Sequence, residues 1–426
     1  SRSGSSQVWR IELRGGEATQ VTDLPVDIGT FQLGPGGGSL VFSASVYLDC
    51  EDLACTASRD EEKKDRPTTG VAYEQLFMRH WDHWLDARHS QLFHLKLESG
   101  KGAGEPLRAT RGIVADVPSR VWGGAEEYAI SPDGKTLYFT ARIRDRKEPT
   151  STNFDIYSAP MNGDGEVLNL TQSNAAWDTQ PVVSPDGQSL AYLAMARPGF
   201  EADRFRIMIR DLQSGKTRVL ADDWDRSASS IAFSHSADSL LVNATDMGNV
   251  TLWEIDLADG QRRKLVAQGS VGSFASGPMG TVFALDTLKS PSELFAIDAG
   301  KTEARQLSHF SAPQLENIEM GDYEQFSFTG ANQETVYGYV MQPAGFKKGE
   351  KYPVAFLIHG GPQGSFGNHF HYRWNPQTYA GQGFAAVFID FHGSTGYGQA
   401  FTDSISGDWG GAPLLDLQLG LAAALE

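Results

Sequence analysis

A short turn with the sequence Ser-Pro-Asp-Gly, followed each time by an apolar strand, recurs along the first three quarters of the chain. It stands at residues 131–134 and 184–187, with degenerate copies that begin at Ser234 and Gly277 and an earlier one at 34–38. The four later copies start 53, 50 and 43 residues apart. Proline sets one backbone angle of such a turn, aspartate caps it, and glycine adopts the positive φ that closes it. Strand units that repeat at about 40–50 residues predict a β-propeller, because one unit cannot bury both of its faces without neighbours.

The start of the chain matches the later strands of such a unit. Residues 7–11 have the pattern of a strand, and the pair Gly15-Gly16 follows them as a turn. We therefore expect the chain to begin in the middle of a blade, with further residues before it in the parent protein. The repeats predict about five and a half blades over residues 1–320, fewer than the seven or eight that we expect to close the ring in the parent.

A charged stretch at about residues 50–86 interrupts one of the repeats. It contains Arg-His-Trp-Asp-His-Trp at 79–84. Loops carried by a rigid scaffold are where binding residues collect, so we interpret Arg79, Trp81 and Asp82 as candidate substrate-binding residues. The alternative is an aromatic plug that packs the insertion onto its own blade.

The two cysteines of the chain, Cys50 and Cys55, lie close together at the start of this insertion. Their spacing allows a small disulfide if the backbone turns between them, which would indicate an oxidising compartment. Two reduced thiols are the alternative, and a closed zinc site would need four ligands. The expected location is therefore periplasmic or secreted.

After about residue 320 the pattern changes, and residues 321–426 predict a second domain. Continuous apolar runs are typical of strands that helices cover on both faces. The expected elements are a hairpin at 323–328 and 335–340, buried strands at 352–358 and 384–389, and helices at 376–381 and 413–425. Strands that alternate with helices predict an α/β sheet.

The first buried strand of this domain ends in His359-Gly360-Gly361-Pro362. In α/β-hydrolases the loop at this place supplies a backbone N–H to the oxyanion hole, where one donor is worth ~3–4 kcal/mol. Glycine is needed because a Cβ would block the approach of the substrate carbonyl. Gly361 and Gly360 are therefore candidate oxyanion donors, and a tight turn without a ligand is the alternative.

Three segments of this domain together resemble the start of the catalytic domain of the prolyl oligopeptidase family: 360–364, 390–398 and 408–411. That family carries a β-propeller ahead of an α/β-hydrolase domain, and both features occur here in that order. Residues 79–82 and 360–367 look most similar to the bacterial dipeptidyl-peptidase V group, with acylaminoacyl peptidases as near relatives. The resemblance covers essentially the whole chain and implies a serine peptidase with no cofactor.

The resemblance also assigns roles to single residues. It implies that Gly361 presents its N–H to the oxyanion, and that His359 stands where some members have Tyr and contributes to substrate binding. His392 stands where many members have Arg, so the role of that Arg is in doubt here. No Gly-x-Ser-x-Gly elbow occurs, since neither Ser365 nor Ser394 has that context. We expect the Ser, Asp and His of the triad to lie beyond Glu426, and this segment to be inactive alone.

An exopeptidase that recognises a free N-terminus must pair its ammonium group with carboxylates. Asp82, Glu201 and Asp203 are candidates, and solvated or Arg-paired surface acids are the alternative. His369 and His371 are spaced as two ligands on one strand face, but no carboxylate nearby in the sequence completes a set, so we predict no metal site.

The net charge and the length of the apolar runs bear on nucleic-acid binding and on membrane spans. With 36 basic and 53 acidic residues the formal charge is −17, which disfavours nucleic acid as a partner. The apolar runs are far shorter than the ~20 residues that span a bilayer.

The predicted function is a serine exopeptidase that releases dipeptides from short peptides while the propeller gates access. The alternatives are an acylaminoacyl peptidase or oligopeptidase of the same family and a non-catalytic propeller binding protein. A homodimer through the hydrolase domain is also expected of the parent protein.

Overall fold

The computed structural model describes residues 2–74 and 76–426. The chain forms two compact units. The first contains the residues up to Glu201 together with Met208–Arg218, and the second contains Ala202–Ile207 together with Val219–Glu426. No helix in the described part of the chain combines the length and the apolar character that a membrane crossing requires.

Antiparallel strands make up most of the regular secondary structure in the first half of the chain. A short pair, β1 (Trp9–Arg10) and β2 (Thr19–Gln20), comes first. The next sheet contains, in hydrogen-bonded order, β3 (Phe31–Leu33), β4 (Ser39–Tyr47), β7 (Arg88–Glu98) and β8 (Lys101–Arg108). Between β4 and β7 lie helix α1 (Leu53–Lys64) and a hairpin of β5 (Arg79–His80) and β6 (His83–Trp84).

Four further groups of strands repeat this arrangement. They are β9 (Tyr128–Ile130), β10 (Thr136–Ala141), β11 (Asp155–Pro160) and β12 (Leu168–Asn169); β13 (Asp178–Val183), β14 (Ser189–Ala194), β15 (Arg206–Asp211) and β16 (Thr217–Leu220); β17 (Ala228–Phe233), β18 (Ser239–Asp246), β19 (Asn249–Asp256) and β20 (Arg262–Val266); and β21 (Ser270–Gly277), β22 (Gly280–Thr287), β23 (Ser290–Asp298) and β24 (Ala304–Gln306). A parallel pairing of Val250 with Ser270 joins the last two groups into one sheet. The structure thus has the strand repeat that the turns predict, while closure of these sheets into a propeller stays a prediction.

The Ser-Pro-Asp-Gly turns have the chemistry expected of them. In the first, the Gly134 N–H donates to the Ser131 carbonyl over 2.8 Å, and the Ser131 hydroxyl donates to Asp133 over 2.6 Å. Gly134 has a φ of +70°, and Gly187 in the second turn has a φ of +72°. Both glycines therefore occupy the left-handed region that other residues avoid.

Helix α1 lies within the stretch that the sequence indicated only as a charged insertion. Asp52 begins it, because its carboxylate accepts a hydrogen bond from the Cys55 N–H over 2.7 Å. Lys63 and Lys64 stand in the last turn, where the helix dipole favours positive charge. Cys55 lies in the helix and is joined to Cys50 as a disulfide, with 5.6 Å between the Cα atoms.

The last sheet contains two neighbouring strands that run parallel over four residue pairs. It contains, in hydrogen-bonded order, β25 (Tyr323–Thr329), β26 (Thr335–Met341), β28 (Ala385–Asp390) and β27 (Val354–Leu357), of which β27 and β28 run parallel. The helices of this region are α2 (Ala312–Leu315), α3 (Gln377–Ala380), α4 (Gln399–Asp403) and α5 (Ala412–Leu425). The predicted hairpin, strands and helices are thus present, but only β28 is buried, because β27 at the edge of the sheet is half-buried. The domain boundary between residues 320 and 321 stays a prediction.

Helix α5 packs closely on this sheet. Val336, Val387 and Ile389 are buried there and Leu417 of α5 packs against them. A Cβ at Gly420 would meet the side chains of Ile389 and Phe328, so glycine permits the close approach of helix and sheet. This packing fixes the ends of β27 and β28, from which the loops of the candidate site begin.

Candidate active site

The loop after β27 borders a cavity of about 520 Å³ in the second unit. Its lining residues are Leu288, Ile358, His359, Gly360, Gly364, Ser365, Phe366, Gly367, His369, His371, Trp374 and Pro376. A cavity of this size holds one or two amino-acid side chains, since ligand pockets span about 300–1,000 Å³. The candidate oxyanion turn and both sequence-predicted histidines at 369 and 371 therefore meet at one place.

Gly361 has a backbone conformation that requires glycine. Its φ is +128°, and a Cβ built on it would lie 3.0 Å from the Gln363 nitrogen. Gly360 has no such constraint, because a Cβ there would meet nothing within 4 Å. Within residues 2–74 and 76–426, nothing accepts a hydrogen bond from the Gly361 N–H, and the residue is exposed. A free donor at the end of a parallel strand is what an oxyanion site needs.

The His359 side chain holds this turn from behind. Its Nε2 lies 3.0 Å from the Ser394 hydroxyl, and its Nδ1 lies 2.9 Å from the Gly360 carbonyl. Its ring stacks on Phe391 with 4.4 Å between the centroids, and the side chain is only 6% exposed. The side chain is thus engaged within the protein. A direct contact between His359 and a substrate stays a prediction.

Asp390, at the end of β28, ties the same loop to the sheet. Its carboxylate accepts hydrogen bonds from the Ser365 hydroxyl over 2.5 Å, the Phe366 N–H over 2.9 Å and the Tyr397 hydroxyl over 2.8 Å. Burial raises the pKa of Asp390, and burial next to this carboxylate raises the pKa of Tyr397. Hydrogen bonds from three donors offset the free-energy cost of burying the carboxylate, and they hold the loop in one position.

Ser394, His359 and Asp390 lie together but do not have the geometry of a catalytic triad. In a triad the serine and the acid contact opposite nitrogens of the histidine. Here Ser394 and Asp390 both face Nε2, at 3.0 and 3.7 Å, while Nδ1 faces a backbone carbonyl. Ser394 is also fully buried. We assign these residues to positioning the turn, and the expectation that the triad lies beyond Glu426 stays a prediction.

His392 bridges two acids beneath the loop. Its Nδ1 lies 2.5 Å from the Asp416 carboxylate on α5, and its Nε2 lies 2.9 Å from the Glu334 carboxylate before β26. Asp416 also accepts the N–H groups of His392 and Ala331, each over 2.7 Å. His392 and Asp416 are fully buried. An acid thus lies within hydrogen-bond distance of each ring nitrogen, and His392 links α5 to the segment before β26.

The other predicted residues lie in the first unit, except for Asp203, which lies in the second. Trp81 is 73% exposed, and its ring lies 6.1 Å from that of Trp122. Arg79 stacks over Trp84 at 5.5 Å, and the Asp82 carboxylate lies 3.2 Å from Nε2 of His83. The side chains of Trp81, Trp84 and Trp122 are exposed, while the choice between substrate binding and packing of the insertion onto its blade stays open. Glu201 is exposed and lies elsewhere in the same unit.

The sequence did not indicate the carboxylates that organise the loop. Glu334 and Asp416 lie 58 and 24 residues from His392 along the chain, so only the fold brings them together. Asp286 likewise reaches His369 across 83 residues. Asp390 could have been identified from the sequence. It directly follows a continuous run of apolar residues, and an aspartate is rarely buried unless it has a partner.

Comparison with known proteins supports the relationship that the motifs indicated. Residues 370–426 match the model of the prolyl oligopeptidase family. The chain is 32% identical over 379 residues to a probable dipeptidyl-peptidase 5 of Arthroderma benhamiae, which covers 83% of this chain and 51% of that protein. It is also 32% identical over 384 residues to dipeptidyl-peptidase 5 of Arthroderma otae, which covers 84% and 52% respectively. The chain spans about half the length of the curated relatives it matches.

Solved structures share the fold. Acylaminoacyl peptidase of Pyrococcus horikoshii matches with a TM-score of 0.73 and 19% identity, over 98% of this chain and 60% of that one. Dipeptidyl peptidase 4 of Porphyromonas gingivalis matches with a TM-score of 0.57 and 12% identity, over 95% and 58%. At such identities the likeness shows the fold alone. The motifs around the Gly360-Gly361 turn, the family match at the C-terminal end and the related sequences agree, and this chain belongs to the prolyl oligopeptidase family.

Proposed function

We propose that the protein at its natural length is a serine peptidase that releases dipeptides from the free N-terminus of short peptides. The observation that carries the proposal is the exposed Gly361 N–H at the end of β27, for which no protein acceptor exists within the described residues. The name dipeptidyl-peptidase 5, borne by relatives that are 32% identical, supports the dipeptide product.

The chemistry assigned to this segment is stabilisation of charge. A serine outside residues 1–426 would attack the scissile carbonyl, with a histidine as its base, and the carbonyl oxygen would become an oxyanion. The Gly361 N–H would donate to that oxygen, and Gly360 would leave room for its approach. His359, Ser394 and Asp390 would hold the turn through their hydrogen bonds. On this account the segment alone is inactive.

The N-terminal sheets would select short peptides. We propose that they close, together with further residues of the natural protein, into a seven- or eight-bladed propeller that gates access to the active site. The solved relatives combine a propeller with an α/β-hydrolase domain, and this supports the proposal. The candidates for binding the substrate are Arg79, Trp81, Asp82 and Glu201, of which the two acids would pair with the ammonium group.

The disulfide supports a proposal about the cellular location. Cys50 and Cys55 are joined in the structure, and disulfides persist in oxidising compartments. We therefore propose that the protein is periplasmic or secreted. A homodimer through the hydrolase domain also remains part of the proposal.

An acylaminoacyl peptidase, which acts on blocked N-termini, is the second candidate. The observation that favours it is the fold likeness to acylaminoacyl peptidase of Pyrococcus horikoshii, whose TM-score of 0.73 exceeds the 0.57 of dipeptidyl peptidase 4. The two candidates differ in whether the pocket for the substrate N-terminus presents a carboxylate to an ammonium group.

The test is hydrolysis by the natural-length protein of a dipeptidyl coumarin amide and of its N-acetylated form. We expect cleavage of the free form alone. Gly361→Ala should lower kcat/KM by about 10²- to 10³-fold, because the strained backbone moves the oxyanion donor. The matched control is Gly38→Ala outside the candidate site, which should stay within about twofold, since a Cβ at Gly38 also meets nothing within 4 Å. Cleavage of the acetylated form alone would establish the second candidate, and cleavage of neither would refute the proposed function.

A further inference from the structure

Two histidines of the cavity beside the oxyanion turn have their Nδ1 atoms occupied by the protein. Nδ1 of His369 lies 2.8 Å from the Asp286 carboxylate, which also accepts the Phe370 N–H over 2.7 Å. Nδ1 of His371 accepts the N–H groups of Arg373 over 3.0 Å and Trp374 over 2.9 Å. The two rings lie 6.0 Å apart and almost perpendicular.

These contacts fix which nitrogen of each ring is left for a ligand. An Nδ1 that accepts two N–H groups carries no proton, so the neutral ring of His371 bears its proton on Nε2. Nδ1 of His369 donates to the carboxylate, and this hydrogen bond raises the pKa of His369, which favours a proton on its Nε2 as well. Within residues 2–74 and 76–426 neither Nε2 has a hydrogen-bond partner, and both residues are exposed.

Much of the remaining wall is apolar. Leu288, Ile358, Phe366, Trp374 and Pro376 form that part, and His359, Ser365 and three glycines form the rest. The cavity also reaches Gly360, next to the proposed oxyanion donor. A ligand that fits must therefore combine an apolar portion with a hydrogen-bond acceptor, and the second positive charge available nearby, on exposed Arg373, favours an anionic acceptor.

We propose that this cavity is the subsite for the leaving-group side of the substrate, and that Nε2 of His371 and of His369 bind the carboxylate of its first residue. The inference rests on the proposed function. An enzyme that releases dipeptides has the substrate ammonium group on the other side of the scissile bond, and donors of this kind would repel an ammonium group. The carboxylate comes either from the C-terminus of a tripeptide or from an Asp or Glu side chain.

The experiment compares substrates that share one dipeptide and differ only beyond the scissile bond. They are a tripeptide ending in Phe with a free carboxylate, the same tripeptide as its C-terminal amide, a tripeptide amide ending in Glu, and the dipeptidyl coumarin amide. We expect a KM about tenfold lower for the free tripeptide than for its amide, as is typical of a hydrogen bond to a charged group. The Glu amide shows whether a side-chain carboxylate serves equally well.

Two variants remove the donors while they keep the local structure. In His371→Asn the side-chain oxygen can still accept the backbone N–H groups that Nδ1 accepts, and in His369→Asn the amide can still donate to Asp286. Either variant should reduce the tenfold preference for the free carboxylate, measured as the ratio of the two KM values within each variant. His371→Gln, whose amide reaches further, should restore part of the preference. His309→Asn, at an exposed histidine outside the cavity, is the matched control.

The outcomes separate this inference from the proposed function. Cleavage of the coumarin amide with equal KM values for the free tripeptide and its amide would overturn the inference and leave the proposed function intact. A preference that survives both asparagine variants would also overturn it. Failure to cleave any of the four substrates would refute the proposed function and the inference together.

Discussion

Replacement of Asp416 by alanine should loosen the loop that carries the candidate site. Asp416 is fully buried and accepts three hydrogen bonds, from the N–H groups of Ala331 and His392 and from Nδ1 of His392. Alanine leaves these donors without an acceptor and leaves His392 with Glu334 as its only acid. Each buried donor left without an acceptor costs about 1–3 kcal/mol, and Asp416 is the acceptor for three contacts.

Hydrogen exchange followed by mass spectrometry measures this effect where it occurs. A loss of about 3 kcal/mol corresponds to amide exchange that is at least ~100-fold faster for α5 and for residues 391–398, if opening there is local. Amides in the first unit should exchange at the wild-type rate. Asp416→Asn keeps one acceptor oxygen and should give a smaller change.

Asp408→Asn is the matched control. Asp408 is exposed and accepts a single N–H, from Ala412 at the start of α5, over 3.0 Å, and asparagine can accept the same bond. We expect exchange within about threefold of wild type for this variant. If Asp416→Ala changes exchange in α5 no more than Asp408→Asn does, the assignment of Asp416 as the buried acceptor that holds α5 to this loop is wrong.

Three further predictions concern stability. Hydrogen bonds from Ser308 and its neighbours lower the pKa of Glu293 to about 2. The ionised carboxylate therefore stabilises the folded protein at pH values above about 4.3, the pKa of Glu in the unfolded chain, and this stabilisation is lost as the pH falls towards 2. The difference in urea midpoint between wild type and Glu293→Gln should therefore shrink from pH 6 to pH 3, and a constant difference would contradict it. Replacement of Cys50 and Cys55 by serine should cost about 2 kcal/mol for so short a loop, measured by urea unfolding without reductant; an unchanged midpoint would count against the disulfide. Gly134→Ala should cost about 1 kcal/mol because of the φ of +70° and not because of crowding, since the new Cβ would meet only Pro35 at 3.8 Å; a midpoint equal to that of wild type would show that the turn relaxes.

The parts of the fold that local chemistry determines could be predicted from the sequence. The turns at 131–134 and 184–187 repeat the same residues for the same backbone reasons, and the strands after them follow. The strands near 354 and 385 were visible as apolar runs, and the pair of glycines after the first of them indicated the turn.

The features that could not be predicted from the sequence depend on long-range contacts or on weak local signals. Helix α1 has a low share of apolar residues, so only its cap at Asp52 and the two lysines at its end distinguish it from a charged loop. The partners of His392 and His369 come from distant strands and helices, and no local pattern pairs them. The stacking of the His359 ring on Phe391 likewise depends on the packed loop. The sequence showed only that His359 follows the strand.

The most direct test of the account is intact mass and peptide mapping of the natural-length protein after treatment with a fluorophosphonate probe, which adds covalently to an activated serine. The account predicts one probe per chain, on a serine of a Gly-x-Ser-x-Gly sequence outside residues 1–426, and a strongly reduced labelling rate in Gly361→Ala. A protein that takes up no probe, or one that carries it on Ser365 or Ser394, would contradict the assignment of the Gly360-Gly361 turn to the oxyanion site of a serine peptidase.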